Sequence, residues 1–340
     1  MSTPTPGSHP PSQPEHAGAS LPMPEAHNLL TSFTTFLTVC IHNILYHRSI
    51  YPRQTFLSAR AYNLPVHQNR HPRVCAWIRD AVNAVAAQMA DGNVCRVAVV
   101  IHSNTAPRTR AEEQQQKQES SASDQSVPPQ RGDSQPPPLP PPGAVLERWM
   151  FDVSRFPPWP GGADAMRDFG SAVAAGNRQQ AEPEEDDGEA GEDVGDLEGS
   201  AGEAERHDAY GIQPTMPLGT AGGVNWTDVD QQLRGAVRRI ASAAEKMAPL
   251  PEGCTFTVAI ELREEGKAPI GHPQAWIPSE PNLQTASKTR PRQGSDVGGN
   301  NTIPVRSVEA GPLFFECWVE EGKAKEALHR RTEPSFATTI

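Results

Sequence analysis

AYNLPVHQNRHP, residues 61–72, puts two histidines and two prolines into twelve residues. Two readings compete for it: a small metal or catalytic site, or a segment that turns a corner into the next element. A metal at His67 and His71 needs further ligands in suitable geometry, and the nearest cysteine, Cys75, falls on the expected buried side of a helix. Pro72 stands where a first helical residue belongs, because that residue's N–H has no intrahelical partner anyway. The stretch reads as a strand and turn that deliver a helix.

Working outward, Val74, Trp77, Ile78, Ala81, Val82, Val85 and Met89 mark that helix, and Asp91-Gly92 stops it. VCRVAVVIH, 94–102, is a β-branched run that predicts a buried strand. Upstream, Leu30, Phe33, Leu37, Ile41 and Ile44 predict an amphipathic helix over Glu25–Arg48, ended by Tyr51-Pro52. VLERWMFDV, 145–153, has strand character with Val145, Trp149, Phe151 and Val153 expected on one face. A third helix is expected from Thr227, with Asp230 completing a capping box. Its buried stripe is Val229, Leu233, Val237, Ile240, Ala244 and Met247. CTFTVAIEL, 254–262, alternates, with Phe256, Val258, Ile260 and Leu262 facing one way. IPVRSV and LFFECWVEE are strand candidates joined by Glu309-Ala310-Gly311-Pro312. This order of elements, over roughly 200 residues, suits one α+β domain.

The rest is soft. Residues 1–24 read as a disordered tail. Insertions are expected at about 104–143, 161–223 and 281–301 within a domain spanning 25–325, with a tail at 326–340. Insertions of ~40–60 residues are tolerated because each doubling of a loop costs only about 0.6 kcal/mol. Mean hydropathy is -0.56, with 35 prolines, too polar for all of the chain to bury a core. The formal charge of -11 is local: Glu182–Glu205 holds twelve acids and no base, and without it the charge is +1. Neither a DNA-binding surface nor an acidic one follows for the folded part. Five cysteines without CxxC predict buried thiols and a reducing compartment. The polar, proline-rich start and the lack of a run of about eighteen apolar residues predict a soluble intracellular protein, neither secreted nor membrane-anchored.

Catalytic patterns are absent: no GxSxG, Walker A loop, GxGxxG or HExxH occurs. The expectation is a protein that is not an enzyme and carries no metal or cofactor. PPPLPPP (136–142) reads as linker before SH3 or WW ligand, RGD (131–133) as a chance tripeptide, and SKTRPR (287–292) as a solvated basic loop. Trp276-Ile277-Pro278 and Trp318 are hydrophobic where a loop should be polar. Aromatics beside extended, proline-punctuated chain suit peptide capture by strand pairing; ordinary edge or core packing is the other reading.

NILYHRSIYPRQTF, AYNLPVHQNRHPRVCAWIRDA, VAVVIH, EGCTFTVAIELRE and AWIPSE, in this order, resemble the HORMA-domain accessory subunits of translesion DNA polymerase zeta. VLERWMFDV and YPRQTF are similar also to the sister branch, the spindle-checkpoint HORMA proteins, whereas YNLPVHQNRHP and PEGCTFTV favour the polymerase branch. The resemblance implies three helices packed on an antiparallel sheet and a C-terminal safety belt. The belt closes around an extended, proline-containing partner segment. It implies that Trp77 and Trp276, with Tyr62 and Pro278, bind the partner peptide; Tyr62, Asn63 and Pro65 match the signature segment. It implies a second-partner surface for a Y-family scaffold polymerase at Ile303, Glu316 and Trp318, where the family's residues differ, and HORMA dimerisation through Arg234. The implied partner is the catalytic subunit of polymerase zeta, in the nucleus, with DNA contacted only indirectly. The alternative is a spindle-checkpoint adaptor.

Overall fold

A computed structural model of the chain describes residues 21–104, 140, 142–156, 159–180, 224–264, 276–279, 283–284, 294, 299 and 301–332. Helix α1 (Met23–His47) leads through a short 3-10 turn into a hairpin, β1 (Phe56–Ala61) and β2 (Leu64–Asn69). Then come α2 (Pro72–Ala90), β3 (Val94–His102), β4 (Val145–Asp152), α3 (Gly162–Gln180) and α4 (Trp226–Lys246). β5 (Thr255–Leu262), the hairpin β6 (Asn301–Ala310) and β7 (Leu313–Glu321), and α5 (Lys323–Thr332) complete the described chain. β3 to β7 form one antiparallel sheet in the order β5-β3-β4-β7-β6. The apolar stripes of α1, α2 and α4 pack on one face of it in a single core, so the expected α+β architecture of three helices on an antiparallel sheet holds.

The opening stretch resolves into architecture. Tyr62 and Asn63 both have positive φ (51° and 56°), the signature of a two-residue turn whose twist matches that of the flanking strands. The His67 ring stacks on Tyr46 with centroids 3.4 Å apart. Asn69 donates its N–H to His42 Nδ1 (3.3 Å), and its side chain accepts from the His71 N–H (2.8 Å). His71 in turn caps α2, Nδ1 accepting from the Arg73 N–H at 3.2 Å.

Several expectations need correction. α1 forms as expected but is buried more completely than a single apolar stripe implies: from Val39 to Leu45 every residue is buried, because α2, α4, β2 and α3 all pack around it. It is the described helix long and apolar enough to cross a membrane, and most of it lies inside the core. Val145 leaves the face of Trp149, Phe151 and Val153 and joins Ala98, Val100 and Met150 on the other. A bulge does this: Ile101 pairs with Glu147 but His102 with Val145, so Leu146 is the extra residue. α4 is capped by Asn225, whose Oδ1 accepts from the Asp228 N–H at 3.2 Å, and not by Thr227 with Asp230. Residues 162–180, assigned above to an insertion, form α3, which seats Met166 in the core and turns Phe169 edge-on to His27. α5 runs through residues assigned to the C-terminal tail. The cysteines are free thiols, with Cys40, Cys254 and Cys317 buried but Cys75 and Cys95 only half-buried. The acidic run, RGD, SKTRPR and most of PPPLPPP lie outside the described residues.

A buried ion network closes the core. Glu147 on β4 receives Arg48 twice (Nε to Oε2, 3.0 Å; the second guanidinium nitrogen to Oε1, 2.7 Å), Trp149 Nε1 (3.2 Å) and Lys325 Nζ (2.6 Å). The remaining Arg48 donors meet the carbonyls of Ala244 (3.0 Å), Met247 (3.3 Å) and Ala248 (2.6 Å) at the end of α4. The Ala244 carbonyl belongs to the last turn, whose carbonyls have no intrahelical partner and carry the negative end of the helix dipole, so a cation there satisfies both needs. Arg48→Met would leave Glu147 without its main counter-ion. We expect it to lower the unfolding free energy by about 3–5 kcal/mol, measured by urea denaturation.

The histidines on the hairpin side give a pH dependence. Burial depresses His42 to about 4 from an ordinary value of 6.5, and it pulls His47 and His67 down as well. Between those limits the unfolded chain binds a proton that the native His42 refuses, so stability rises with pH. Its contribution is complete above about pH 6.5 and is lost as pH falls towards 4, up to about 3 kcal/mol. Thermal melts at half-unit pH intervals should show the fall; a His42→Gln variant should flatten it.

Candidate functional site

The two edges of the sheet differ. β6 carries Pro304 and a bulge between Pro304 and Arg306, both of which spoil a strand for further pairing. Arg306 also folds over Gly235 of α4 and donates to Gln232 Oε1 at 2.7 Å. β5 has no proline and a continuous register from Thr255 to Glu261. The Ser103 N–H bonds Ala144 O (2.8 Å) and the Val153 N–H bonds Cys95 O (3.0 Å), which points the odd-numbered residues of β3 at β4. By alternation the even-numbered ones meet Thr255, Thr257, Ala259 and Glu261, so the N–H and C=O groups of Phe256, Val258 and Ile260 point away from the sheet.

Aromatic side chains stand beside this edge. Trp77, on the exposed side of α2 with 44% of its surface accessible, meets Phe256 edge-on at 5.0 Å. Tyr51 approaches the same ring at 6.4 Å. Phe256, Val258 and Ile260 are only half-buried, unlike the fully buried Val97, Val99 and Ile101 next to them on β3. At the far end of β5, Arg263 ties itself to Val94 O (3.2 Å) and Ser154 O (2.6 Å). A pocket of about 280 Å³ lined by Met89, Val94, Phe156 and Trp159 opens beside it.

Two described pieces of the chain between β5 and β6, 276–279 and 283–284, lie on opposite faces of the sheet. Trp276 packs on the helix-side core, whereas Leu283 packs on the opposite face against Ala98, Val100, Val145 and Met150. Ile277 between them is 83% exposed, and Pro278 is exposed too. The chain that holds them joins the β5 edge to β6 at the other edge.

The residues singled out in the sequence are not all gathered here. Trp77 stands at the β5 edge, and Trp276 and Pro278 lie between β5 and β6. Tyr62 is at the opposite end of the hairpin from the entry to α2, its ring packed into the core near Cys40 and Asp230. Burial pushes its phenol well above the ordinary range. The second set is split by the sheet: Ile303 faces the helix-side core, whereas Trp318 packs on the opposite face and bonds Glu320 Oε1 (2.9 Å). Glu316, exposed, shares Trp318's face and accepts from Ser307 at 3.2 Å. Arg234 is exposed on α4. Sequence reasoning gave Phe256 and Tyr51 no role at the edge; Phe256 appeared only among the alternating residues of 254–262 that face one way.

For chemistry the described residues offer little. Burial raises all five thiols above their ordinary value, Cys254 to about 11 and Cys317 to about 12, so none is poised as a thiolate. Among the described residues no cluster of His, Cys, Asp or Glu is arranged to hold a metal ion.

No family model matches the sequence, and no curated protein matches it. Among solved structures, the chain is similar to one from the mitotic checkpoint complex, at 15% identity and a TM-score of 0.45, covering 87% of this chain and 96% of that one. It is similar to HTP-2 bound to HTP-3 motif-6, at 11% identity and a TM-score of 0.40, covering 89% and 92%. It is also similar to C. elegans HTP-1 bound to a HIM-3 closure motif, at 15% identity and a TM-score of 0.36, covering 88% and 93%.

Proposed function

We propose that this chain is a non-catalytic HORMA adaptor that captures an extended, proline-containing segment of a partner protein at the β5 edge. The observation that carries this is the unspoiled edge itself: outward backbone groups at Phe256, Val258 and Ile260, with Trp77 alongside. An added strand draws affinity from main-chain hydrogen bonds and specificity from alternate side chains. Trp77 and Phe256 would meet the apolar ones. The segment with Trp276 and Pro278 is the belt in this reading, and a segment held beneath it leaves only when the belt opens.

The partner favoured by YNLPVHQNRHP and PEGCTFTV is the catalytic subunit of DNA polymerase zeta. The adaptor then works in the nucleus in translesion synthesis, meeting DNA only through its partners. A Y-family scaffold polymerase at Glu316 and Trp318, and a homodimer through Arg234, belong to the same proposal. VLERWMFDV supports the second reading, a spindle-checkpoint adaptor with a different captured segment.

Titration calorimetry of the full chain against the two segments from the same organism separates these readings. Binding of the polymerase segment alone is the expected result; binding of the checkpoint segment alone would move the protein to the other branch, and binding of neither would sink peptide capture. In the same assay Trp77→Ala and Trp276→Ala should each weaken capture by roughly 10-fold or more. Both variants should retain a single cooperative melt; losing it would show that these rings serve the core instead.

A further inference from the structure

We propose that the outer face of α4 is the seat of the chain's own acidic run, Glu182–Glu205, which docks there through its carboxylates. Three arginines stand on that face, Arg234, Arg238 and Arg239, all exposed. A fourth joins them from β6: a Cβ built on Gly235 would sit 2.9 Å from the Arg306 Cζ, so that guanidinium lies directly against the helix. Arg306 donates to the neutral Gln232 Oε1 (2.7 Å), and its buried Nε has no partner. Elsewhere Arg48, Arg96, Arg148 and Lys325 each meet a carboxylate. Among the described residues none of the four arginines here does. From Gln231 to Ala244 the helix carries no acid, and the flanking Asp230 and Glu245 form no ion pair with these arginines. Like charges one turn apart, as at Arg234 and Arg238, weaken a helix, so an anion laid across the face stabilises it.

The matching charge lies in the same chain. The run holds twelve acids and no base, begins two residues after Gln180 ends α3, and stops 21 residues before Trp226 opens α4. α3 and α4 both pack on α1, so the run is anchored at both ends. Arg238 stands about 18 Å along α4 from Trp226, and the residues between Glu205 and Trp226 can span up to about 66 Å. Tethering gives the run an effective concentration on the order of millimolar at the arginines. Single exposed charge pairs are weak, so the contact rests on many carboxylates against four guanidiniums, and salt weakens it. The hairpin side is a poorer seat: Arg53 already lies over the Tyr46 ring at 5.1 Å, and Arg60 and Arg73 stand on separate elements, β1 and α2. Seated on α4, the run screens that face from other anions, and a second copy that uses Arg234 has to displace it.

Arginine modification of the full chain by phenylglyoxal, read residue by residue through peptide mass mapping, tests this without any partner protein, so it stands or falls apart from peptide capture. The comparison is a variant with every Glu→Gln and Asp→Asn within 182–205. At low salt Arg234, Arg238 and Arg239 should react roughly 10-fold slower in the wild type than in the variant, with Arg60 and Arg73 reacting alike in both. Equal rates on α4 would overturn the seat. So would equal slowing of Arg60 and Arg73, because the run would then act as a diffuse counter-charge. Protection that grows with protein concentration would refute docking within one chain and make the run a ligand of a second copy. Should the variant lose its cooperative melt, the wild type alone decides. Slow reaction on α4 should vanish as salt rises; protection that survives high salt would mean that something other than the acidic run covers these arginines, and the proposal would fall.

Discussion

A carboxylate with no exposed surface, Glu147, sits where β4, the end of α1, the end of α4 and the start of α5 converge. A charge in that position persists only if it is paired and its lone pairs are filled. Arg48 meets the requirement by spending its whole fork on Glu147 and three helix-end carbonyls, which fixes α1, β4 and α4 in one arrangement. The functional edge inherits that precision. Tyr51 follows Arg48 by three residues and reaches Phe256, and β5 begins eight residues after Met247, whose carbonyl Arg48 holds. The anchoring of one guanidinium thus sets where the β5 edge lies relative to α2 and Trp77.

Much of this was legible where local signals and tertiary context agree. α2 and β3 fall where Pro72, Asp91-Gly92 and the β-branched run place them. The misses have specific causes. α1 shows its helical stripe but not that it is wrapped on all sides, which depends on distant elements. Val145 obeys strand alternation in sequence and breaks it in space, because one extra residue in β4 shifts the parity. α3 has only Met166, Phe169 and Val173 at helical spacing, a thin stripe in polar surroundings. Lys325, within KAKEALHRR, looks like any exposed helix lysine. Arg48 did carry a signal, as the one formally charged residue inside NILYHRSIY, whereas Glu147 shares VLERWMFDV with Arg148 and Asp152.

The site was less legible than the fold. That β5 is an edge follows from strand order, and the order is set by pairings more than a hundred residues apart. Trp77 entered as a site residue through resemblance and Trp276 first as an aromatic where a loop should be polar; the structure gives Trp77 a ring partner and packs Trp276 against the helix-side core. Tyr62, a signature residue, has a left-handed backbone in the hairpin turn and a half-buried ring packed against the core. The sheet itself divides Ile303 from Glu316 and Trp318, so a partner on that hairpin meets one of the two faces.

The strand order also bears on how the chain is made. β3 and β4 can pair early, but the next neighbours of β4 and β3 are β7 and β5, reached only at residues 313 and 255. Until β5 is made, the growing polypeptide carries a two-stranded ribbon of Val97, Val99, Trp149 and Phe151 with both flanks bare, and the β4 flank waits for β7. Such a ribbon is a template for pairing with other chains, and long-range closure makes its protection slow. α1 and α2 emerge before it and already present the apolar surface that can shelter one face. The helices that cover the finished sheet therefore act first as its escort on the ribosome.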